Sequence, residues 1–275
     1  MQDFSLSTSF NKNKVFLLRK SEVGKRLDPF YYVPDIVELE KKILAKKPKK
    51  LRDYVIAMSG GATPKREEEN KYYTDDDKTG VPFLRVQNIT EWGLDLRGVK
   101  YITKETHEKE LSRSKVFEND LLVTITGRIC SAAVAAKNFE GNINQHSVVI
   151  KTQNKETSDY LAAYLNSAIT HKLALRRTTG GTRPALDYPT LLSLPIIYAP
   201  RILSIIQKAV EQKRQNEAQV EILLASIDDY LLKELGITLP LPPDNNLKNR
   251  IFKTTIKEGS CLGNLWYNPG KAYEI

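Results

Sequence analysis

Cysteine is scarce in this 275-residue chain. The two present, Cys130 and Cys261, lie far apart. That excludes a disulfide framework, offers no Cys-x-x-Cys zinc spacing, and leads to the expectation of a cytoplasmic protein. The three histidines, His107, His146 and His171, show no ligand spacing and read as surface or packing residues, so no metal site is expected. No apolar run approaches the ~18 residues of a membrane span. The opening MQDFSLSTSFNKNK lacks an apolar core behind a basic start, so no signal peptide is expected. Phosphate-binding GxxxxGK[ST], dinucleotide-binding GxGxxG and metalloprotease HExxH are all missing. Around Pro242 and Pro243 the residues are wrong for the Asn/Asp-Pro-Pro-aromatic motif of DNA amino-methyltransferases, and a paired-acid nuclease site has only Glu108-Lys109 to draw on. On its residues alone the chain is expected to be no enzyme and to need no cofactor.

What is abundant is positive charge. The net charge is +9, and it is unevenly placed. Residues 1–50 carry 12 Lys and Arg against 6 Asp and Glu, concentrated in the run KKILAKKPKK at 41–50. An excess of this kind suits nucleic-acid binding, and equally suits a solvated helix face. The apolar content of 41% and charged content of 27% are those of an ordinary globular protein with ample core.

Local patterns predict an α+β chain of short strands without βαβ rhythm. An extended lead-in is followed by a helix over 35–47, ended by Pro48. From 51 to 197, strands are predicted at 52–58, 81–89, 100–103, within 120–136 on either side of Gly127-Arg128, at 142–151 and at 194–197. Helices are predicted at 107–116, 158–177 and 188–193, and the polar stretch 62–80 reads as a loop. After Pro200 the stretch 201–235 has no internal proline or glycine and stops at Gly236. Its 35 residues would form a rod of roughly 52 Å. Its apolar seam includes Ile206, Val210, Val220, Leu224, Ile227 and Leu231, and is interrupted by the polar EQKRQNEAQ. So narrow a seam predicts a spacer that packs on a partner helix in a coiled-coil-like arm, the alternative being a core helix of a compact domain, which would want a wider stripe. The expected organisation is a lead-in at 1–50, a globular domain at 51–197, the long helix at 198–236, and a linker with further chain at 237–275. That last segment echoes the start at an offset of 235: Tyr32-Val33-Pro34 over Tyr267-Asn268-Pro269, with Leu27, Phe30 and Tyr31 over Leu262, Leu265 and Trp266. The echo reads as the opening of a second repeat.

A binding constellation is better supported than a catalytic one. Arg85, Gln87 and Asn88 on the 81–89 strand carry groups that pair bidentately with guanine or adenine edges. Thr124, Thr126 and Arg128 surround a glycine turn, and Asn144, Gln145 and His146 form another polar tip. Arg176, Arg177, Thr179, Thr182 and Arg183 flank Gly180-Gly181, a composition suited to phosphate contacts, and Lys65 and Arg66 add charge in the 62–80 loop. Each group also has an ordinary structural use as a cap or turn.

The order of these segments resembles the specificity subunit of type I restriction–modification systems. Three features carry the resemblance: GVPFLRVQNI followed by DLLVTITGRIC and NQHSVVI; the closing segment GGTRPALDYPTLLSLPIIYAP; and the long helix ending near an Ile-aromatic-Leu run at 227–232. The resemblance implies a target recognition domain that reads one half of a bipartite site in double-stranded DNA. It also implies helices that set the spacing between halves, docking to methyltransferase (modification) subunits with a restriction subunit as a further candidate partner, and no active site of its own. Subunits of that family carry two recognition domains and two long helices, whereas this chain has one of each and the start of an apparent second copy; a half-subunit of this kind is expected to form a homodimer through the long helix. Rival readings are a DNA-cleaving or DNA-modifying enzyme with an unrecognised site, and a coiled-coil adaptor without a DNA role.

Overall fold

The apolar stretches that form strands here are brief, such as Leu121–Val123 and Val148–Ile150, and the strands are correspondingly short. The computed structural model describes residues 10–24, 26–64, 69–180 and 182–238. In chain order the elements begin with α1 (Pro34–Leu44), β1 (Lys49–Lys50), β2 (Ala57–Gly60), α2 (Glu69–Tyr72), β3 (Tyr73–Thr74), β4 (Val81–Leu84), β5 (Ile89–Thr90) and β6 (Gly93–Leu94). They continue with β7 (Lys100–Ile102), α3 (Lys104–Glu108), β8 (Lys115–Phe117), β9 (Leu121–Thr124), β10 (Ala132–Val134), β11 (Glu140–Ile143) and β12 (Ser147–Lys151). The last are α4 (Lys155–Leu165), α5 (Ala168–Arg177), α6 (Tyr188–Leu192), β13 (Pro195–Ile196), α7 (Pro200–Ala225) and α8 (Ile227–Leu235). The fold class is α+β, as expected. By its contacts the chain forms two compact units, Met1–Gln212 and Lys213–Ile275.

Two sheets organise the first unit. One is antiparallel with strand order β10-β9-β12-β2, and the other has the order β3-β7-β4-β11-β8. Within the second, β4 and β11 run parallel, with Asn142 opposite Phe83 and Ile143 opposite Leu84. The strands β9 and β12 are buried on both faces, which explains their unbroken apolar reading. One face packs on α4 and α5 through Leu121, Val123, Val148, Leu161, Leu165 and Leu173. The other face contributes Leu122 and Val149 to a second cluster with Leu84 and Ile143 of the neighbouring sheet and Ile89 of the β5–β6 hairpin. Both layers are therefore fixed to the same two central strands.

Side-chain caps cut the predicted elements into shorter ones. The predicted strand 81–89 ends at Leu84, because the Asn88 side chain accepts from Arg85 N–H (3.0 Å) and donates to the Asp95 carbonyl (2.8 Å). That side chain holds a 3₁₀ turn over Val86–Asn88 instead of a strand. The predicted helix 158–177 is two helices, interrupted where Ser167 Oγ accepts from Thr170 N–H and starts α5 afresh. The predicted helix 107–116 is a single short α3 capped by Thr103, then a 3₁₀ turn and the strand β8. The strand expected at 52–58 is a 3₁₀ turn followed by the later β2.

The long helix is present as α7 and α8, with a break at Ser226, whose Oγ donates to the Leu223 carbonyl (2.8 Å). Gly236 ends α8 in the left-handed region (φ 65°), as its position predicts. In the first unit, Leu203 packs against the core and Ile206 and Val210 are half-buried. In the second unit, Val220, Leu224, Ile227 and Leu231 are all exposed, and Val220, Leu223, Leu224, Ile227 and Tyr230 line a shallow apolar groove. Within the polar interruption, Lys213 pairs with Glu217 one turn on (3.2 Å). The proline-rich linker and the echo of the N-terminus lie outside the described residues.

Candidate nucleic-acid interface

The central sheet places five loops side by side. β9 and β2 end where β12 begins, because Ser147 stands opposite Thr124 and Val148 opposite Gly60. The parallel pairing of β4 with β11 brings two more chain reversals to that end, 85–87 and 144–146. The segment after α5 completes the cluster. It is tied down by hydrogen bonds from Leu186 N–H to the Ile125 carbonyl (2.9 Å) and from Gly127 N–H to the Pro184 carbonyl (3.1 Å). It is also closed on itself by reciprocal 2.9 Å bonds between Thr179 and Ala185.

Glycine permits this crowding. A Cβ on Gly61 would stand 2.6 Å from the Ile143 carbonyl oxygen and nearer still to that of Asn144. Gly61 N–H donates to the Ser147 carbonyl (3.0 Å), so the 59–64 segment lies flat against the 144–146 reversal. At Gly127 the backbone is left-handed (φ 77°), and Arg183 crosses directly over it.

The groups expected to contact DNA divide into three sets. Gln87, Arg128, Gln145, Thr179, Thr182 and Arg183 are exposed around this sheet end. Thr126 and His146 are half-buried among them, and the His146 backbone carbonyl accepts from Ile125 N–H (2.9 Å). Burial, and then the nearby positive charge of Arg183, push the His146 imidazole below its ordinary value, so the ring is held neutral there. Arg85 is half-buried and folded back, with one guanidinium nitrogen donating to the Gly98 carbonyl (3.3 Å) and Nε buried without a protein partner. Among the described residues of the loops 59–64, 85–87, 125–128, 144–147 and 178–187, the one carboxylate is Asp187, which caps α6 at Thr190 N–H (2.7 Å). The sheet end is thus cationic and rich in hydroxyl and amide groups.

The remaining described groups of the expected set have partners within the fold. Asn88 is occupied by the turn it caps, and its residue is 1% exposed. Thr124 is fully buried, its hydroxyl donating to the Arg128 carbonyl and accepting from Ser131 N–H (3.0 Å). The Asn144 side chain accepts from His146 N–H within its own reversal. Arg176 and Arg177 are both paired with Glu40 of α1. The Arg176 guanidinium also lies 4.2 Å from the Tyr31 ring centroid. These two arginines fasten the lead-in helix to α5, so of the cluster that reads in sequence as suited to phosphate they form an internal ion-pair network, while Thr179, Thr182 and Arg183 stay exposed. Lys65 and Arg66 lie outside the described residues.

The basic run at 41–50 is elsewhere. Lys46, Lys47 and Lys49 line a ~510 Å³ pocket with Tyr54, Tyr198 and Gln153, beyond the opposite end of β12. Two members of the cluster carry no sequence signal of their own. Thr63 donates its hydroxyl to the Gln145 side-chain oxygen. The Tyr188 hydroxyl occupies the space that a side chain at position 60 would need. Only the Gly60-Gly61 pair, read as demanding close backbone approach, could have pointed to them.

Comparison with known proteins agrees with this architecture. The family model of a type I restriction modification DNA specificity domain matches residues 45–221. The specificity subunit of the type I restriction enzyme EcoBI from Escherichia coli is 27% identical over 179 residues, 65% of this chain and 35% of that protein. The chain therefore spans about a third of the length of this curated relative. Among solved structures, the type IIG restriction endonuclease BpuSI aligns over 67% of this chain and 28% of its own, with a TM-score of 0.51 at 12% identity, a likeness of fold. The type I restriction-modification S subunit from M. genitalium aligns over 66% of this chain and 43% of its own, with a TM-score of 0.45 at 15% identity. With a family match over more than half its length, the chain belongs to the type I restriction modification DNA specificity domain family.

Proposed function

We propose that this chain reads one half of a bipartite DNA sequence through the loops at the end of the β9–β12–β2 sheet, as a non-catalytic subunit serving methyltransferase partners. The observation that carries the proposal is the convergence of Gln87, Arg128, Gln145, Thr182 and Arg183, from four separate segments, on one cationic surface. Amide and guanidinium groups are those that read base edges in the major groove, while threonine hydroxyls and loop N–H groups suit phosphates. Two of the strands that carry these loops, β9 and β12, are buried on both faces and give the reading groups a rigid base.

The exposed seam of Val220, Leu224, Ile227 and Leu231 supports the second half of the proposal. An apolar stripe of this kind is covered by another helix, and in a two-fold dimer the partner is the same stripe on a second copy. Two recognition units would then read a symmetric, split site. Co-expression with methyltransferase subunits, followed by mapping of methylated bases across a genome, tests the proposal. A methylated two-part motif supports it; methylation independent of the chain contradicts it. Leu224→Asp is expected to convert a dimer to a monomer in sedimentation, and a wild-type chain that is monomeric at micromolar concentration removes the dimer from the proposal.

A further inference from the structure

His107 lies near the end of α3 and is 2% exposed, yet its ring faces two carboxylates that are more than half exposed. Asn142 on β11 fixes the ring. The Asn142 amide nitrogen donates to the Leu111 carbonyl (2.8 Å) and to Ser114 Oγ (3.1 Å). That leaves the Asn142 carbonyl oxygen to face the imidazole, 2.5 Å from Nδ1. An oxygen acceptor at that position requires the proton on Nδ1, so in the neutral ring Nε2 carries the lone pair. In front of Nε2 stand Glu140 Oε1 at 3.0 Å and Glu108 Oε1 at 3.6 Å. Ionised carboxylates have no proton to give it. The second oxygen of Glu108 meets Lys115 Nζ at 2.5 Å. A lone pair and two anionic oxygens therefore converge on one point.

The geometry points to a divalent transition-metal site formed by His107 Nε2, Glu108 and Glu140. All three ligand atoms lie within 4.8 Å of one another. Bond lengths of 2.0–2.1 Å in a tetrahedral zinc site put ligand atoms roughly 3.3 Å apart. The two nitrogen–oxygen separations fall on either side of that value. A single proton on Nε2 would reach Glu140 and leave Glu108 beyond hydrogen-bond range, whereas a metal ion joins all three. One imidazole and two carboxylates suit Zn²⁺, with an open position for water, and accept Mn²⁺. The bond from Nδ1–H to Asn142 is the outer support that metal-binding histidines have. The site would fasten α3 to the first residue of β11, at the end of that strand remote from the reading loops. Sequence reading expected no metal here because its ligands are two adjacent residues and a third 33 positions away, which match no motif.

The test uses the full chain, stripped with a chelator and titrated with Zn²⁺, and in parallel Mn²⁺, against a chromophoric indicator. Expected results are one Zn²⁺ bound per chain, a raised Tm, and at least a tenfold loss of affinity in both Glu140→Gln and Glu108→Gln. Glu105→Gln, which alters the neighbouring Lys109 pair on α3, and His171→Gln are expected to bind as the wild type does. Because the mutated glutamates are more than half exposed, the variants avoid the packing loss of replacing buried His107, and circular dichroism checks that they fold. Absence of saturable 1:1 binding, or wild-type affinity in Glu140→Gln, overturns the proposal and leaves a proton on Nε2 as the cation of the cluster.

Discussion

Replacing Glu40 with Gln is expected to cost about 3 kcal/mol of stability without touching a DNA-reading group. Its carboxylate pairs with both Arg176 and Arg177, and the three side chains are 13%, 7% and 17% exposed. Surface pairs contribute ~0–1 kcal/mol, but removing one partner of a buried pair leaves a charge without compensation and costs roughly 3–5 kcal/mol. Here two guanidinium groups lose their shared counter-charge and remain side by side. Partial exposure of Arg177 places the effect near the lower end of that range. For a unit of this size, 1 kcal/mol corresponds to roughly 2–4 °C, so the transition should fall by roughly 6–12 °C. Urea unfolding measures the free energy directly. Glu38→Gln on the same helix is the control, because its pair with Lys42 is open to solvent (65% and 72% exposed) and should change stability by at most ~0.5 kcal/mol. If Glu40→Gln unfolds within the range of Glu38→Gln, the two arginines are not a structural clamp, and their assignment away from DNA fails with it.

Three further outcomes are expected. In a Cys261→Ser variant the remaining thiol, Cys130, should stay unreactive towards a disulfide reagent until the protein unfolds, since burial pushes its pKa up to about 12; rapid native labelling would contradict that burial. The folded state depresses the His146 pKa, so its contribution to stability is fully present above the unfolded value near 6.5 and is lost as pH falls through the lower folded value. The wild type should therefore lose Tm relative to His146→Gln on acidification below about pH 6.5, and parallel curves would refute the shift. Gly61→Ala drives a methyl group into the Ile143 and Asn144 carbonyls, so it should lower Tm and abolish sequence-specific binding; a variant that binds normally would show that the 144–146 reversal can move at little cost.

Much of this architecture was written locally in the chain. The unbroken apolar runs of β9 and β12, the glycine that ends α8 and the exposed seam before it follow from short-range pattern. The misreadings share one cause, a polar side chain whose partner is distant or is its own backbone. Alternation over 81–89 cannot distinguish a strand from a turn capped by Asn88, and nothing near Arg176 and Arg177 announces Glu40, more than 130 residues earlier. The same holds for His107, whose partners arrive with β11. The loops proposed to read DNA lie between these extremes. Their residue types were legible one by one, but their convergence depends on the parallel β4–β11 pairing and on the ties from 184–186 to 125–127. The lysine run, the loudest charge signal in the sequence, lines a different part of the unit.

The central claim is that these loops read bases, and selection from a randomised duplex library tests it most directly. With the assembled complex, the wild type should enrich a defined sequence. Arg128→Ala and Arg183→Ala should each weaken binding to that sequence by about 1–3 kcal/mol and relax the preference at particular positions, while non-specific affinity changes less. Equal loss on all sequences, or an unchanged preference in both variants, would contradict direct reading by this surface.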